Sequence, residues 1–132
     1  MATGVGIDLL EIERMERALE RHPRIAERVF TAGEREYAAA KARPGRHLAA
    51  RFAAKEAVVK ALGLRGGFGL REIEVVAGEP PTVRLSGRAA EAAEGRTVEI
   101  SLTHSRDNAA AVAIVSSVDT GLRSASAGGD PR

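Results

Sequence analysis

Between His47 and Leu62 the chain reads HLAARFAAKEAVVKAL, an alanine-rich run in which Leu48, Phe52 and Val59 recur at helical spacing. A long helix there is the element around which anything else must be arranged. Because aromatics make up 3% of the 132 residues and tryptophan is absent, the remaining core must be assembled from Ala, Val, Leu and Ile. Each of these side chains buries modest area, so a lone copy is marginal and association into an oligomer is physically plausible.

The other elements follow from period and punctuation. Residues 3–10 (TGVGIDLL) predict a short strand that ends at a carboxylate, Asp8, with Gly4 and Gly6 permitting close backbone approach. Ile12, Met15 and Leu19 predict a helix that Pro23 interrupts, followed by a helical turn over 24–29. Thr31 and Glu34 fit a capping box that opens a helix running to about Ala42. Pro44-Gly45 predicts a turn before the long helix, and Gly63 its end. A glycine-rich loop, 63–69, then precedes strands at 70–77, 82–86, 98–103 and 109–115, with a helical piece at 88–94. This order predicts a mixed α+β fold, a small antiparallel sheet packed with helices, rather than a βαβ repeat.

One domain is expected over residues 1–117, and the Ser, Gly, Asp and Pro of 118–132 predict a disordered tail. With 44% hydrophobic and 29% charged residues the composition is that of a globular protein, and its longest apolar stretch, 109–115, is too short to span a bilayer. No charged-then-apolar leader opens the chain, so a cytoplasmic location is expected. The absence of cysteine excludes disulfides, thiolate metal sites and cysteine nucleophiles. A net charge of +2 favours acidic partners without demanding nucleic acid.

Glu56 and Lys60, four apart on the long helix, project from one face. A hard cation and a phosphate suit them, and Asp8 is a natural second carboxylate if the fold brings it near. At this spacing, however, a Glu and a Lys are more often a solvated helix pair worth about 0.3–0.5 kcal/mol, and a carboxylate after a strand often caps the next helix. His104 closes its strand inside the polar sequence Thr-His-Ser-Arg-Asp, where a ligand or plain solvent can be its partner; His22 and His47 read as surface residues. Arg14, Arg17 and Arg21 share a helix face, followed by Arg24 and Arg28. They read equally as a docking stripe for an acidic protein or as a solvated face balanced by interleaved glutamates. The glycine loop has neither Walker nor Rossmann spacing.

Taken together, Gly4-Val5-Gly6-Ile7-Asp8, the run from Arg51 through Lys55-Glu56-Ala57 to Lys60-Ala61-Leu62-Gly63, and Ser101-Leu102-Thr103-His104-Ser105 resemble the holo-acyl-carrier-protein synthase family. The F-x-x-K-E-A-x-x-K core is the most specific part, typical of phosphopantetheinyl transferases, and the short chain points to the small bacterial type. The resemblance spans roughly residues 3–116. It implies transfer of the phosphopantetheine arm of coenzyme A to a serine of apo-acyl carrier protein, as in fatty acid biosynthesis. Asp8 and Glu56 would hold magnesium (manganese can substitute), Lys60 would contact the pyrophosphate, and His104, with Arg51 as a further contact, would bind coenzyme A. Glu56, directly or through a water, is the preferred base, and Arg14, Arg17, Arg21, Arg24 and Arg28 would meet the acidic carrier. The family is trimeric, with sites between subunits. Leu64-Arg65-Gly66-Gly67 departs from the Thr-Gly frequent in the family, and Asn108 stands where an aromatic is frequent.

Two other functions remain compatible with the residues alone. One is a metal-dependent phosphohydrolase using Asp8, Glu56 and His104, and the other a non-catalytic basic module that binds an acidic protein or nucleic acid.

Overall fold

The computed structural model describes residues 3–117, so the tail expected to be disordered from 118 onward lies outside the described residues. The chain runs β1 (Gly4–Glu11), α1 (Ile12–Arg21), α2 (Ile25–Val29), α3 (Ala32–Ala39), α4 (Pro44–Leu62), a 3₁₀ turn (Leu70–Glu72), β2 (Ile73–Val76), β3 (Thr82–Leu85), α5 (Gly87–Ala93), β4 (Thr97–His104) and β5 (Asn108–Ser116). Strands β1, β5 and β4 form an antiparallel sheet in that order, and β2 and β3 form a separate hairpin. The expected α+β architecture with a small antiparallel sheet is what is observed.

Helix α4 lies across the sheet, and small residues on both partners make that approach possible. Alanines 53, 54, 57 and 61 of the helix face Ala111, Ala113 and Val115 of β5 in one buried cluster. On β1 the approach is closer still, since a Cβ placed on Gly4 or Gly6 would overlap the carbonyl oxygens of Ala61 and Ala57. The poverty in aromatics is therefore a packing solution, because bulk on either surface would hold helix and sheet apart. A second cluster, around Ile12, Met15, Phe30, Leu48 and Ala109, seats α1 and α3 against the first half of α4.

Local boundaries differ from the sequence reading at informative points. Pro44-Gly45 is the first turn of α4 and not a separate turn, with Pro44 in the opening position where its missing N–H costs nothing. The helix ends as expected at Gly63, whose φ of 69° and the bonds Gly63 N–H to Lys60 O and Leu64 N–H to Val59 O make a Schellman end. The capping box of Thr31 and Glu34 is present, although α3 stops at Ala39, short of Ala42. Residues 70–72 are a 3₁₀ turn and not the start of a strand, because Glu72 accepts the Gly69 and Ala89 N–H groups and bends the chain there.

Glu34 then does more than cap. It is fully buried, accepting from Thr31 N and Val75 N while its Oε1 stands 2.8 Å from Lys55 Nζ, itself fully buried. Lys55 also donates to the carbonyls of Leu70 and Ile73, so one ammonium ties α3, α4 and the start of β2 together. Burial lowers the Lys55 pKa and the Glu34 carboxylate opposes that shift. No helix among the described residues is long and apolar enough to cross a membrane.

Candidate active site

Asp8 sits inside β1, paired with Ala111, and not at the strand's end; its alternation places it on the face toward α4. It caps nothing, because Glu11 occupies the N-cap of α1 and makes no side-chain bond there. From α4, Lys60 reaches the same place. Its Nζ donates to Asp8 Oδ1 at 3.2 Å and to the Ile7 carbonyl at 2.9 Å. Glu56, one turn earlier on α4, completes the group. Burial pushes its carboxyl up from the usual range, repulsion from Asp8 adds to this, and Lys60 partly offsets both.

The glycines of β1 explain why these three meet. With Gly4 and Gly6 flush against α4, the first side chain of β1 large enough to project on that face is Asp8, directly beside Glu56 and Lys60. Two carboxylates and an ammonium therefore converge from segments about fifty residues apart, which a solvated intrahelical Glu–Lys pair does not explain.

Asp8 and Glu56 line a cleft of about 520 Å³ whose opposite wall is apolar, formed by Met15, Ala18, Ile25, Val29 and Phe52. Arg14 stands on its rim, the one arginine of the predicted stripe that lines this cleft. Arg21, Arg24 and Arg28 line an adjoining hollow that shares Ile25 with it. Arg17 turns away, pairing with Glu13 at 3.3 Å beside Glu11 and Asp107.

Arg51 and His104 are together but elsewhere. They line a second hollow of about 230 Å³ with Tyr37, His47 and the 77–81 loop, and it has no lining residue in common with the first. Asp8 and His104 lie on opposite edge strands, so their Cα atoms are about 12 Å apart by strand spacing and register. His47, expected at the surface, is half-buried here, and Tyr37 carries the Arg51 guanidinium 4.0 Å from its ring centroid. The signal that could have found His47 is its four-residue spacing from Arg51, which sets both on one face of α4.

The residues fit a divalent cation. Two carboxylates facing one cleft are the hard donors magnesium takes when water and substrate phosphate fill the rest of its shell, and no group of three or more such ligands exists among the described residues.

Comparison with known proteins identifies the family. Residues 4–115 match the family model described as the 4'-phosphopantetheinyl transferase superfamily. The holo-[acyl-carrier-protein] synthase of Moorella thermoacetica is 49% identical over 118 residues, covering 85% of this chain and 92% of that protein. Among solved structures, the acyl carrier protein synthase of Mycobacterium tuberculosis superposes with a TM-score of 0.72 at 42% identity, covering 86% of this chain and 96% of that one. The Chronobacterium ammoniagenes synthase, solved as a complex with CoA, gives 0.77 at 29% identity, covering 90% and 100%. An F-x-x-K-E-A-x-x-K helix laid against a glycine-lined strand so that Asp8, Glu56 and Lys60 meet thus belongs to a protein of the holo-acyl-carrier-protein synthase family, within the 4'-phosphopantetheinyl transferase superfamily.

Proposed function

We propose that this chain transfers the 4'-phosphopantetheine group of coenzyme A to a serine of apo-acyl carrier protein, releasing adenosine 3',5'-bisphosphate, with Asp8, Glu56 and Lys60 as the catalytic group. The convergence of these three side chains, with Asp8 and Glu56 lining the cleft, carries the reading.

In the reaction the carrier's serine oxygen attacks the β-phosphorus, and the bond from that phosphorus to the bridging oxygen of the bisphosphate breaks. Lys60 supplies a fixed positive charge beside the pyrophosphate, where negative charge grows on the leaving group. Glu56, directly or through a water, takes the serine proton; burial and the neighbouring Asp8 carboxylate raise its affinity for a proton. Asp8 and Glu56 would hold magnesium, which supplies charge neutralisation on the phosphate oxygens when bound. Arg51 and His104 take the nucleotide phosphate, a role supported by a buried Arg51 whose Nε lacks an acceptor.

The basic rim of Arg14, Arg21, Arg24 and Arg28, set beside the apolar wall, meets the acidic carrier, with Arg17 contributing only to the wider field. The working form is a homotrimer with sites between subunits. On β1 the side chains opposite α4 are apolar and open, Val5 67%, Ile7 68% and Leu9 68% exposed, with Ile114 beside them. A neighbouring copy covering this strand would stand next to Asp8 and bring a second chain's residues to a site that one protomer leaves divided.

Incubation of apo-carrier with coenzyme A and magnesium tests the activity. Intact mass spectrometry of the carrier should register the added phosphopantetheine; an unchanged carrier mass with consumption of coenzyme A would point to the hydrolase instead.

A further inference from the structure

His47, one turn before Arg51 on α4, meets two rings at once at near-perpendicular angles. Tyr37 of α3 lies 5.8 Å away by centroids and His104 of β4 lies 6.0 Å away, at interplanar angles of 73° and 74°. The surroundings are cationic. Arg51, only 4% exposed, lies against the Tyr37 ring, and Lys41 Nζ is 4.7 Å from the same ring. The buried Nε atoms of Arg46 and Arg51 have no acceptor. Groups from every wall face His47: Tyr37 and Lys41 from α3 and its end, Arg46 and Arg51 from α4, His104 from β4, and Glu79 from the loop after β2, the one acid among the lining residues. Of these two arginines, Arg51 lines the hollow, and a buried guanidinium N–H without a partner there suits an anion.

Resting on the reading that this hollow takes the nucleotide phosphate of coenzyme A, we propose that His47 is a positioning residue that braces His104 and takes up a proton from solvent as the phosphate binds. Without ligand, burial disfavours the imidazolium, and Arg46, Arg51, His104 and Lys41 add repulsion. A phosphate dianion between Arg51 and His104 reverses that field, so His47 binds a proton more tightly in the complex than in the free protein. By linkage the phosphate is held more tightly as pH falls through the complex's value, until His47 is protonated in the free protein as well.

Calorimetric titration of the magnesium-loaded protein with coenzyme A and with 3'-dephospho-coenzyme A tests this, in two buffers of different ionisation heat and from about pH 5.5 to about pH 8.5, where histidine titrates. In the native chain the dissociation constant of 3'-dephospho-coenzyme A divided by that of coenzyme A should rise as pH falls toward about 6.5, by less than the tenfold per unit that one linked proton allows, before the 3'-phosphate itself protonates at about pH 6. The buffer comparison should report uptake of close to one proton, specific to the ligand with the 3'-phosphate. His47→Phe keeps a ring between Tyr37 and His104 but cannot take the proton; uptake should vanish while the ratio near the alkaline end moves little. His47→Gln should lose both uptake and alkaline affinity, because the brace is gone. Proton uptake that survives in His47→Phe, or that disappears only in His104→Ala, overturns the assignment to His47 and leaves the phosphate pocket standing. Equal affinity of the native chain for both ligands at every pH overturns the pocket reading and the role of His47 with it.

Discussion

Lys55 and Glu56 are neighbours in sequence with opposite fates, and the difference lies in which way each leaves α4. Lys55 points into the protein, where Glu34 and two carbonyls consume its three donors; Glu56 points to the cleft, where a carboxylate and an ammonium meet it. Lys55→Met would leave the Glu34 carboxylate buried without its cation. Denaturant unfolding at fixed protein concentration should register a loss of about 3–5 kcal/mol, and Glu34→Gln in the same chain should restore part of it by removing the stranded charge. A double variant no more stable than Lys55→Met would contradict this account of the pair. The sequence made Glu56 and Lys60 visible through their spacing, but Lys55 was silent there, since nothing local marks a lysine whose partner lies twenty-one residues upstream.

At the scale of elements, α1 illustrates how a stripe in sequence becomes a face in space. Arg14, Arg17 and Arg21 are spaced to share one side, yet Arg14 reaches the cleft rim while Arg17 is drawn to Glu13 on the flank. Charge reversal should therefore separate them. Arg14→Glu is expected to raise KM for the acyl carrier protein about tenfold, the equivalent of ~1.4 kcal/mol, and to flatten its salt dependence, whereas Arg17→Glu should change it far less. Equal effects in steady-state kinetics would argue against a directed docking face. The period of α1, the start of α3 and the end of α4 were legible because apolar spacing, the Thr31 box and Gly63 are local signals. Where the reading failed at 70–72, the outcome was decided by partners outside the window, the N–H groups that Glu72 collects, whereas at Pro44 a proline that opens a helix was read as a turn.

Across the whole molecule, small residues determine the site. Gly4, Gly6 and the alanines of α4 and β5 let a helix settle onto a sheet closely enough that Asp8 meets Glu56 and Lys60, and the same strand turns Val5, Ile7 and Leu9 outward. Ile7→Glu places a charge in the middle of that outer face. Light scattering should then give a protomer mass in place of a trimer, with activity falling in step; a trimer that persists would remove the outer face of β1 from the interface. Composition makes association plausible because the core is poor in bulk; the proposed face rests instead on β1 being an edge strand with apolar side chains turned outward. The proposed transfer requires Asp8 and Glu56 to share one cation beside Lys60. Manganese titration followed by electron paramagnetic resonance, in the presence of coenzyme A, measures that sharing directly. Asp8→Asn and Glu56→Gln should each weaken manganese binding at least about tenfold, the low end of what altering even an outer-shell partner brings, and wild-type affinity in either variant would contradict the shared coordination on which the mechanism depends.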